Sequence, residues 1–460
     1  MPTVSNRSEL LDALKKAKGG ETITLQNGNY GSITVTADYA STVTVRAQNR
    51  LDATINTLKV DGATNVKFDG INFYSGGNGG PGGRIVSIEN GSRYIDVVNS
   101  EVWGKKDGTY VGHNGIYVSG SNNIDIINNN VHDVDNGIML FGSSGSNVRS
   151  NKVDYYANDA LKFSGVNNVS VEDNISYGHV FAPSGAHNDF MQFQGASSNV
   201  EISGNVFLPS NTASSQGIFL NNATYKDIDI NNNIVSTGML NGIYVSSGSG
   251  ISVSNNTVLD IPGLIGKSTL IIVPGGSSVN NNFMTSYAGG PSGSNIKLQS
   301  GDPRDDYYLN DFYKNAAKGL GLTFEDLMPV AGTAAETKGA AARIYELLGS
   351  SAPASTPSPA PSPEPAPAPA QSSGAFTVTL VDAGSDKFVE RLSDGESATI
   401  STPAARRTID VVHSEKPGSI YMELDRGNGA GVTTKLENVG PYSLTGDSSS
   451  GDYNCLLYTS

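Results

Sequence analysis

The chain is poor in several things that most proteins of 460 residues carry. It has a single cysteine, Cys455, so neither a disulfide framework nor a cysteine-based zinc site is available. No run of about 18 apolar residues occurs, which excludes a membrane-spanning helix and argues against a membrane partner. Positive charge is scarce: 30 Lys and Arg stand against 44 Asp and Glu, a net charge of −14. Sequence-independent nucleic-acid binding needs a basic footprint, so nucleic acid is not an expected partner. Met1 to Tyr30 shows no basic start followed by an apolar stretch, so an ordinary secretory leader is not read there. Good helix formers are diluted by 54 glycines and by many asparagines and serines, which argues against a helical bundle. The glycines lack a three-residue period, which excludes collagen.

What is present is a repeat. One strand recurs as Asn114-Gly115-Ile116-Tyr117-Val118, Asn136-Gly137-Ile138-Met139-Leu140, Asp159-Ala160-Leu161-Lys162-Phe163, Asn188-Asp189-Phe190-Met191-Gln192, Gln216-Gly217-Ile218-Phe219-Leu220 and Asn241-Gly242-Ile243-Tyr244-Val245. A second, such as Ile124-Asp125-Ile126 or Val200-Glu201-Ile202, leads into an Asn-rich turn and one apolar residue, as in Asn129-Asn130-Val131, Asp173-Asn174-Ile175 and Asn232-Asn233-Ile234. Ile116 to Ile138 is 22 residues and Ile138 to Leu161 is 23; Leu161 to Phe190 is 29, the excess falling in one loop. A unit this short cannot bury its own apolar face and must stack on its neighbours. Stacking predicts an interior column of Ile116, Ile138, Leu161, Phe190, Ile218 and Ile243, and an asparagine ladder from coil to coil. Leucine-rich repeats need a regular leucine framework, which is absent.

This pattern resembles the right-handed parallel β-helix superfamily, with pectate lyases, alginate lyases and mannuronan C5-epimerases as the similar members. The resemblance covers roughly residues 5–300. The expected organisation is all-β: a solenoid over 1–302 with an N-terminal capping helix near 5–18, and a partly helical segment over 303–350 covering the open C-terminal end. A Pro/Ala/Ser linker over 351–373 then leads to a partial antiparallel β-sandwich over 374–454. There Glu437 to Asp447 and Gly451 to Asn454 resemble a module of bacterial extracellular proteins acting on glycans. Residues 455–460 do not continue that module and read as a foreign tail.

Insertions at Gly76–Gly83, Trp103–His113, Ser176–His187 and Leu208–Ser214 all precede the first repeated strand, so they flank one face as groove walls. The outward column of that strand is expected to be Tyr117, Met139, Lys162, Met191, Phe219 and Tyr244. Beside it lies a small-residue column of Gly115, Gly137, Ala160, Gly217 and Gly242, interrupted by Asp189. His113 and His187 share a repeat position with Asp135 and Asn158 between them; His132, Asp154 and Ser176 share another. Lys162 and Asp189 are expected one coil apart, within diagonal reach.

Such a cluster suits proton abstraction next to the carboxylate of a uronate ring, which needs a neutralising cation, a base and an acid. Lys162 or His187 is the candidate base, and Tyr177 or Tyr155 the acid. Asp189 with Asp159 or Asp135 is the candidate Ca²⁺ site. Tyr117, His113, Phe219, Tyr244 and His179 are the candidate substrate contacts. Asp159 and Asp189 are expected on opposite strand faces, which disfavours a hydrolytic acid/base pair. The resemblance implies an extracellular enzyme, a lyase or C5-epimerase on an acidic polysaccharide, monomeric or trimeric. A non-catalytic glycan-binding or phage tail-spike-like adhesin is the alternative. Each residue also has a structural reading: Lys162 as plain surface, the histidines as solvated loop, the aromatics as contacts between coils.

Overall fold

A computed structural model describes residues 2–76, 83–105, 113–178, 187–211, 215–262, 270–288, 294–298 and 306–350, together with isolated strands between 376 and 453. The linker at 351–373 and the tail at 455–460 lie outside the described residues. Two units are distinct, residues 1–358 and 359–460.

In the first unit each coil contributes three short strands. Asn114–Ser119, Asn122–Ile127 and Asn130–Val134 form one such coil. Stacked coils make three parallel sheets of 11, 12 and 12 strands, called the first, second and third sheet in that order. Parallel pairing needs burial on the inner face, and alternate residues provide it. In the first sheet Val118, Leu140, Phe163, Phe193, Leu220 and Val245 are buried in register, and the Phe163 and Phe193 rings stack 4.6 Å apart. The N-terminal helix runs Arg7–Lys16. Asn6 caps it by accepting from the Glu9 N–H at 3.0 Å, and Glu9 accepts from the Ser5 N–H at 2.7 Å, a reciprocal cap.

The turn between the second and third sheets explains the Asn-rich dipeptides. The first residue of each pair takes the left-handed conformation that asparagine tolerates, as in Asn128 (φ 57°), Asp173 (φ 55°), Asn232 (φ 55°) and Asn281 (φ 58°). The second turns inward and joins a buried ladder of Asn129, Asn151, Asn174, Asn205, Asn233, Asn256, Asn282 and Asn295. From Asn151 onward each Oδ1 accepts both the backbone N–H and the side-chain amide of the preceding rung, and Asn129 Oδ1 accepts the Ser100 N–H. Asn174 Oδ1, for example, takes Asn151 N at 3.0 Å and Nδ2 at 3.0 Å, while Asn174 Nδ2 donates to Val148 O at 2.9 Å.

The register corrects the expected columns. Leu161 pairs with Met191, not Phe190, and Lys162 with Gln192. The coil between 161 and 191 is one residue longer than the apolar pattern implied, because Phe190 and Met191 are both buried. Phe190 therefore stands in the small-residue column, stacked on Phe207 at 5.1 Å. Asp189 moves into a polar column with Asp159 and Gln216.

Residues 306–350 form short 3₁₀ turns and the helix Ala341–Leu347. The expected position was the open end; the contacts run along the outer side of the third sheet. Leu309, Tyr313, Leu322, Leu327 and Ile344 pack on Val206, Ile234 and Phe283, and Arg343 Nε donates to Gly204 O at 3.0 Å. In the second unit all described strand pairs are antiparallel, including a four-stranded sheet built around Phe376–Asp382 and Arg407–His413. The side chains that would pack a sandwich lie outside the described residues.

Replacing Asn174 with Ala removes the acceptor of the Asn151 N–H and the side-chain donor to the Val148 carbonyl, and leaves the Asn151 amide only its bond to Ile126 O, at about 1–3 kcal/mol for each buried group left unpaired. Asn128→Gly keeps the left-handed turn and is expected to cost far less. Urea unfolding of the two variants, followed by circular dichroism, checks the difference.

Candidate functional site

The first sheet presents a polar column at the start of its strands. Asn114, Asn136, Asp159, Asp189, Gln216 and Asn241 stack from coil to coil. Asn136 Nδ2 donates to Asn114 Oδ1 at 2.9 Å, and the Asp159 N–H to Asn136 Oδ1 at 3.3 Å. The Asp189 N–H donates to Asp159 Oδ1 at 3.1 Å, and Asn241 Nδ2 donates to Gln216 Oε1. At its centre two carboxylates replace amides. Asp159 and Asp189 are direct cross-strand partners on the same face, which corrects the expectation of opposite faces.

Each carboxylate is sunk in the wall and paired to a more exposed basic group. Lys162 Nζ donates to Asp159 Oδ2 at 2.8 Å; the side chains are 22% and 2% exposed. His187 Nδ1 lies 3.2 Å from Asp189 Oδ2, at 55% and 0% exposure. Gln192 Nε2 donates to the same Asp189 oxygen at 2.9 Å, and Gln216 Nε2 lies 2.5 Å from His187 Nε2. Asp189 Oδ1 and Gln192 Oε1 are buried acceptors with no hydrogen-bond partner among the described residues.

The electrostatics follow from burial. Loss of hydration pushes the Asp159 pKa up to about 6; Lys162 opposes the rise and the Asp189 charge adds to it. Burial also raises Asp189, against the pull of His187. The hydrogen bond to Asp189 raises His187 above the ordinary imidazole value. Asp135 is raised by burial and is bonded by Asn158. Tyr156, which the repeat pattern did not single out, is fully buried behind this wall. Its hydroxyl is raised by burial and by the charges of Asp154, Asp159 and Asp189.

Lys162, His187, Asp189, Asp159 and Asp135 thus gather at one corner, with His113 beside them through an Asp135 N–H bond to its carbonyl at 2.7 Å. His187 does not share the His113 column; the longer coil puts Asn188 there. Phe219 and Tyr244 continue the outward column, with ring centroids 5.0 Å apart and His187 5.3 Å from Phe219. Gln192 takes the place expected for Met191. Tyr117 lies toward the other end under the Arg84 guanidinium, 3.4 Å from its ring centroid. His179 lies outside the described residues. Tyr177 and Tyr155 do not join the cluster. Lys152 pairs with Ile175, so Tyr177, not Ser176, follows Asp154 on the outer face of the third sheet. There its ring is 5.5 Å from Lys152 Nζ, packed against the 306–350 segment.

Residues 64–260, less than half of the chain, match the family profile described as NosD, periplasmic copper-binding protein. The first unit is a parallel β-solenoid. A search of curated proteins finds no match. Similar solved structures include pectate lyase Pel9A, at 14% identity and TM-score 0.41, covering 70% of this chain and 84% of that one. An alginate lyase from Paenibacillus sp. str. FPU-7 matches at 14% identity and TM-score 0.32, covering 64% and 97%. PfbA, a surface adhesin of Streptococcus pneumoniae, matches at 14% and 0.43, covering 64% and 89%. At these identities no residue role passes from those proteins to this chain.

Copper is best held by imidazole and sulfur donors. Among the described residues no three His, Cys, Asp or Glu side chains converge on a metal position. Both ring nitrogens of His132 face carboxylates and those of His187 face Asp189 and Gln216, so the donor set does not fit copper. Of the residues expected to hold Ca²⁺, Asp159 is engaged by Lys162, Asp189 by His187 and Gln192, and Asp135 by Asn158.

Because Asp159 has a higher pKa folded than unfolded, the native state holds its proton while the unfolded state has lost it. Its contribution to stability therefore falls as pH rises from about 4 to about 6 and is level above. Thermal melts across that range are expected to show wild type losing ground to Asp159→Asn.

Proposed function

We propose that the outer face of the first sheet binds an acidic polysaccharide and that the corner cluster moves a proton at the carbon next to a uronate carboxylate, as a lyase or C5-epimerase. The observation that carries this reading is the pair of buried, in-register carboxylates, each holding a basic head toward solvent. An anionic substrate meets Lys162 and His187 rather than the aspartates, although the chain as a whole is acidic.

In this reading the Lys162 ammonium neutralises the substrate carboxylate, which acidifies the adjacent C–H. Neutral His187, oriented by Asp189, accepts that proton. With Tyr155 and Tyr177 on another sheet, the imidazolium of His187 returns the proton, to the leaving oxygen in a lyase. Asp189 Oδ1 and Gln192 Oε1, without a hydrogen-bond partner among the described residues, keep negative character in the wall directly behind the two basic heads. Phe219 and Tyr244 extend the surface along the coil axis. Among the described residues no helix is long and apolar enough to cross a membrane. An extracytoplasmic setting suits a polysaccharide substrate.

Binding without turnover is the second reading. It is favoured by the continuity of the polar column, in which Asp159 and Asp189 also serve as rungs between Asn136 and Gln216.

Incubation with alginate, pectate and chondroitin separates the readings. A lyase produces absorbance from a new double bond; an epimerase incorporates solvent deuterium at C5 without it. Neither signal, together with retained glycan binding, means binding alone. If turnover occurs, kcat/KM is expected to rise with pH through the elevated His187 pKa. Asp189→Asn is expected to move that inflection to lower pH, and His187→Ala to reduce turnover by about 100-fold or more. An unmoved inflection removes the dyad from the mechanism.

A further inference from the structure

The third sheet has an open cavity on its outer face that the first-sheet cluster does not use. The 306–350 segment packs on this face around Ile175, Val206, Ile234 and Phe283. The preceding coils carry a stack of rings. Tyr74 and Trp103 lie 3.9 Å apart at 18°, and Trp103 and His132 5.8 Å apart at 18°. Trp103 Nε1 donates to Asn72 Oδ1 at 2.8 Å, fixing the indole. The stack ends at His132, whose Nδ1 lies 2.7 Å from Asp133 Oδ2 and Nε2 3.1 Å from Glu101 Oε1. Beyond it is a cavity of about 360 Å³ bounded by these side chains and by Lys152, Asp154 and Tyr155 of the next coil, within the size range of small-molecule sites.

Two independent features set this cavity apart from an ordinary surface dip. Asp133 borders the cavity with its side chain 4% exposed, and its buried Oδ1 has no hydrogen-bond partner among the described residues. A buried carboxylate oxygen without a donor is costly unless a ligand supplies one. Tyr155 is the second feature. His132 pairs with Asp154 and Lys152 with Ile175, so Asp133, Tyr155 and Gly178 occupy one position in successive coils. All three have left-handed backbones, with φ of 54°, 50° and 53°. Glycine takes this conformation without penalty, whereas a bulky tyrosine does not. The strained position nevertheless holds a ring that is 37% exposed at the cavity rim.

We propose that this cavity binds an uncharged, hydroxyl-rich sugar unit. The lining has both signs, so it suits neither simple ion: Glu101, Asp133 and Asp154 repel an anion, and the Lys152 ammonium repels a cation. A hydroxyl group donates to Asp133 Oδ1 and accepts from the Lys152 ammonium. The Tyr155 ring and the end of the aromatic stack cover the apolar side of a sugar ring. This selectivity is opposite to that of the first-sheet cluster and does not depend on it.

Trp103 is the sole tryptophan of the chain and borders the cavity, so its fluorescence reports on occupancy. Titration of the full chain with maltotriose, cellotriose and mannotriose is expected to give a saturable change with at least one of them. Glucuronate and glucosamine should bind at least 10-fold more weakly than that sugar. Tyr155→Gly is expected to weaken binding 10-fold or more while its thermal midpoint stays level or rises, since glycine relieves the backbone. Asp133→Asn, which keeps the shape, should also weaken it, and His187→Ala should leave it unchanged. No response to any neutral trisaccharide overturns the proposal. So does equal binding of the charged sugars, or undiminished affinity in a folded Tyr155→Gly variant.

Discussion

The buried asparagine ladder is the constraint on which the rest of the molecule depends. Each rung accepts from the backbone N–H and side-chain amide of the coil before it and donates its own amide to a carbonyl further back. Inside a dry wall these bonds cannot be exchanged for water, so a coil that slipped by one residue would strand several polar groups at once. The ladder therefore fixes vertical register, and register decides which side chains from distant parts of the chain become neighbours. Loops of different length are tolerated between rungs because the ladder, not the loop, sets where the next strand begins.

The first-sheet cluster is a local substitution within the same logic. The column Asn114, Asn136, Asp159, Asp189, Gln216 and Asn241 is a second polar stack, and in two adjacent coils its rungs are carboxylates. A buried charge costs several kcal/mol unless it is paired, and here each has a partner three residues along its own strand or two residues back: Lys162 for Asp159, His187 for Asp189. The consequence is a pair of basic heads held at fixed height on a face that is otherwise aromatic and amide-rich. The third-sheet cavity uses a different device, a left-handed kink repeated at Asp133, Tyr155 and Gly178 that turns side chains out of the regular alternation.

Much of this was legible in the sequence, for a physical reason. A repeat near 22 residues with apolar and asparagine positions at constant offsets has few ways to bury itself, so the coil architecture, the ladder and the gathering of Lys162, His187, Asp159 and Asp189 follow from spacing. What failed was register across the long coil. Phe190 and Met191 are both apolar and both buried, so hydrophobicity alone could not say which continued the Leu161 column; choosing Phe190 put Asp189 on the wrong face. A separate one-residue error, a step of 22 instead of 23 between Asp154 and its neighbour in the next coil, hid Tyr177 on the third sheet. Asn188, which bonds the carbonyls of Ala157 and Asn158 from the preceding coil, was the available signal for the longer count. The side-on packing of residues 306–350 had no such signal, because an apolar outer column at Val206, Ile234 and Phe283 reads like any other strand residue.

The most direct test of this register is chemical cross-linking between adjacent coils. In a Cys455→Ser background, cysteines at Ser164 and Gln194 occupy paired positions, about 4.8 Å apart between backbones, within disulfide reach. Mild oxidation is expected to close that pair to completion and to leave Ser164→Cys with Phe193→Cys, which points inward, reduced. Closure of the second pair in place of the first would contradict the stacking on which the carboxylate pair rests.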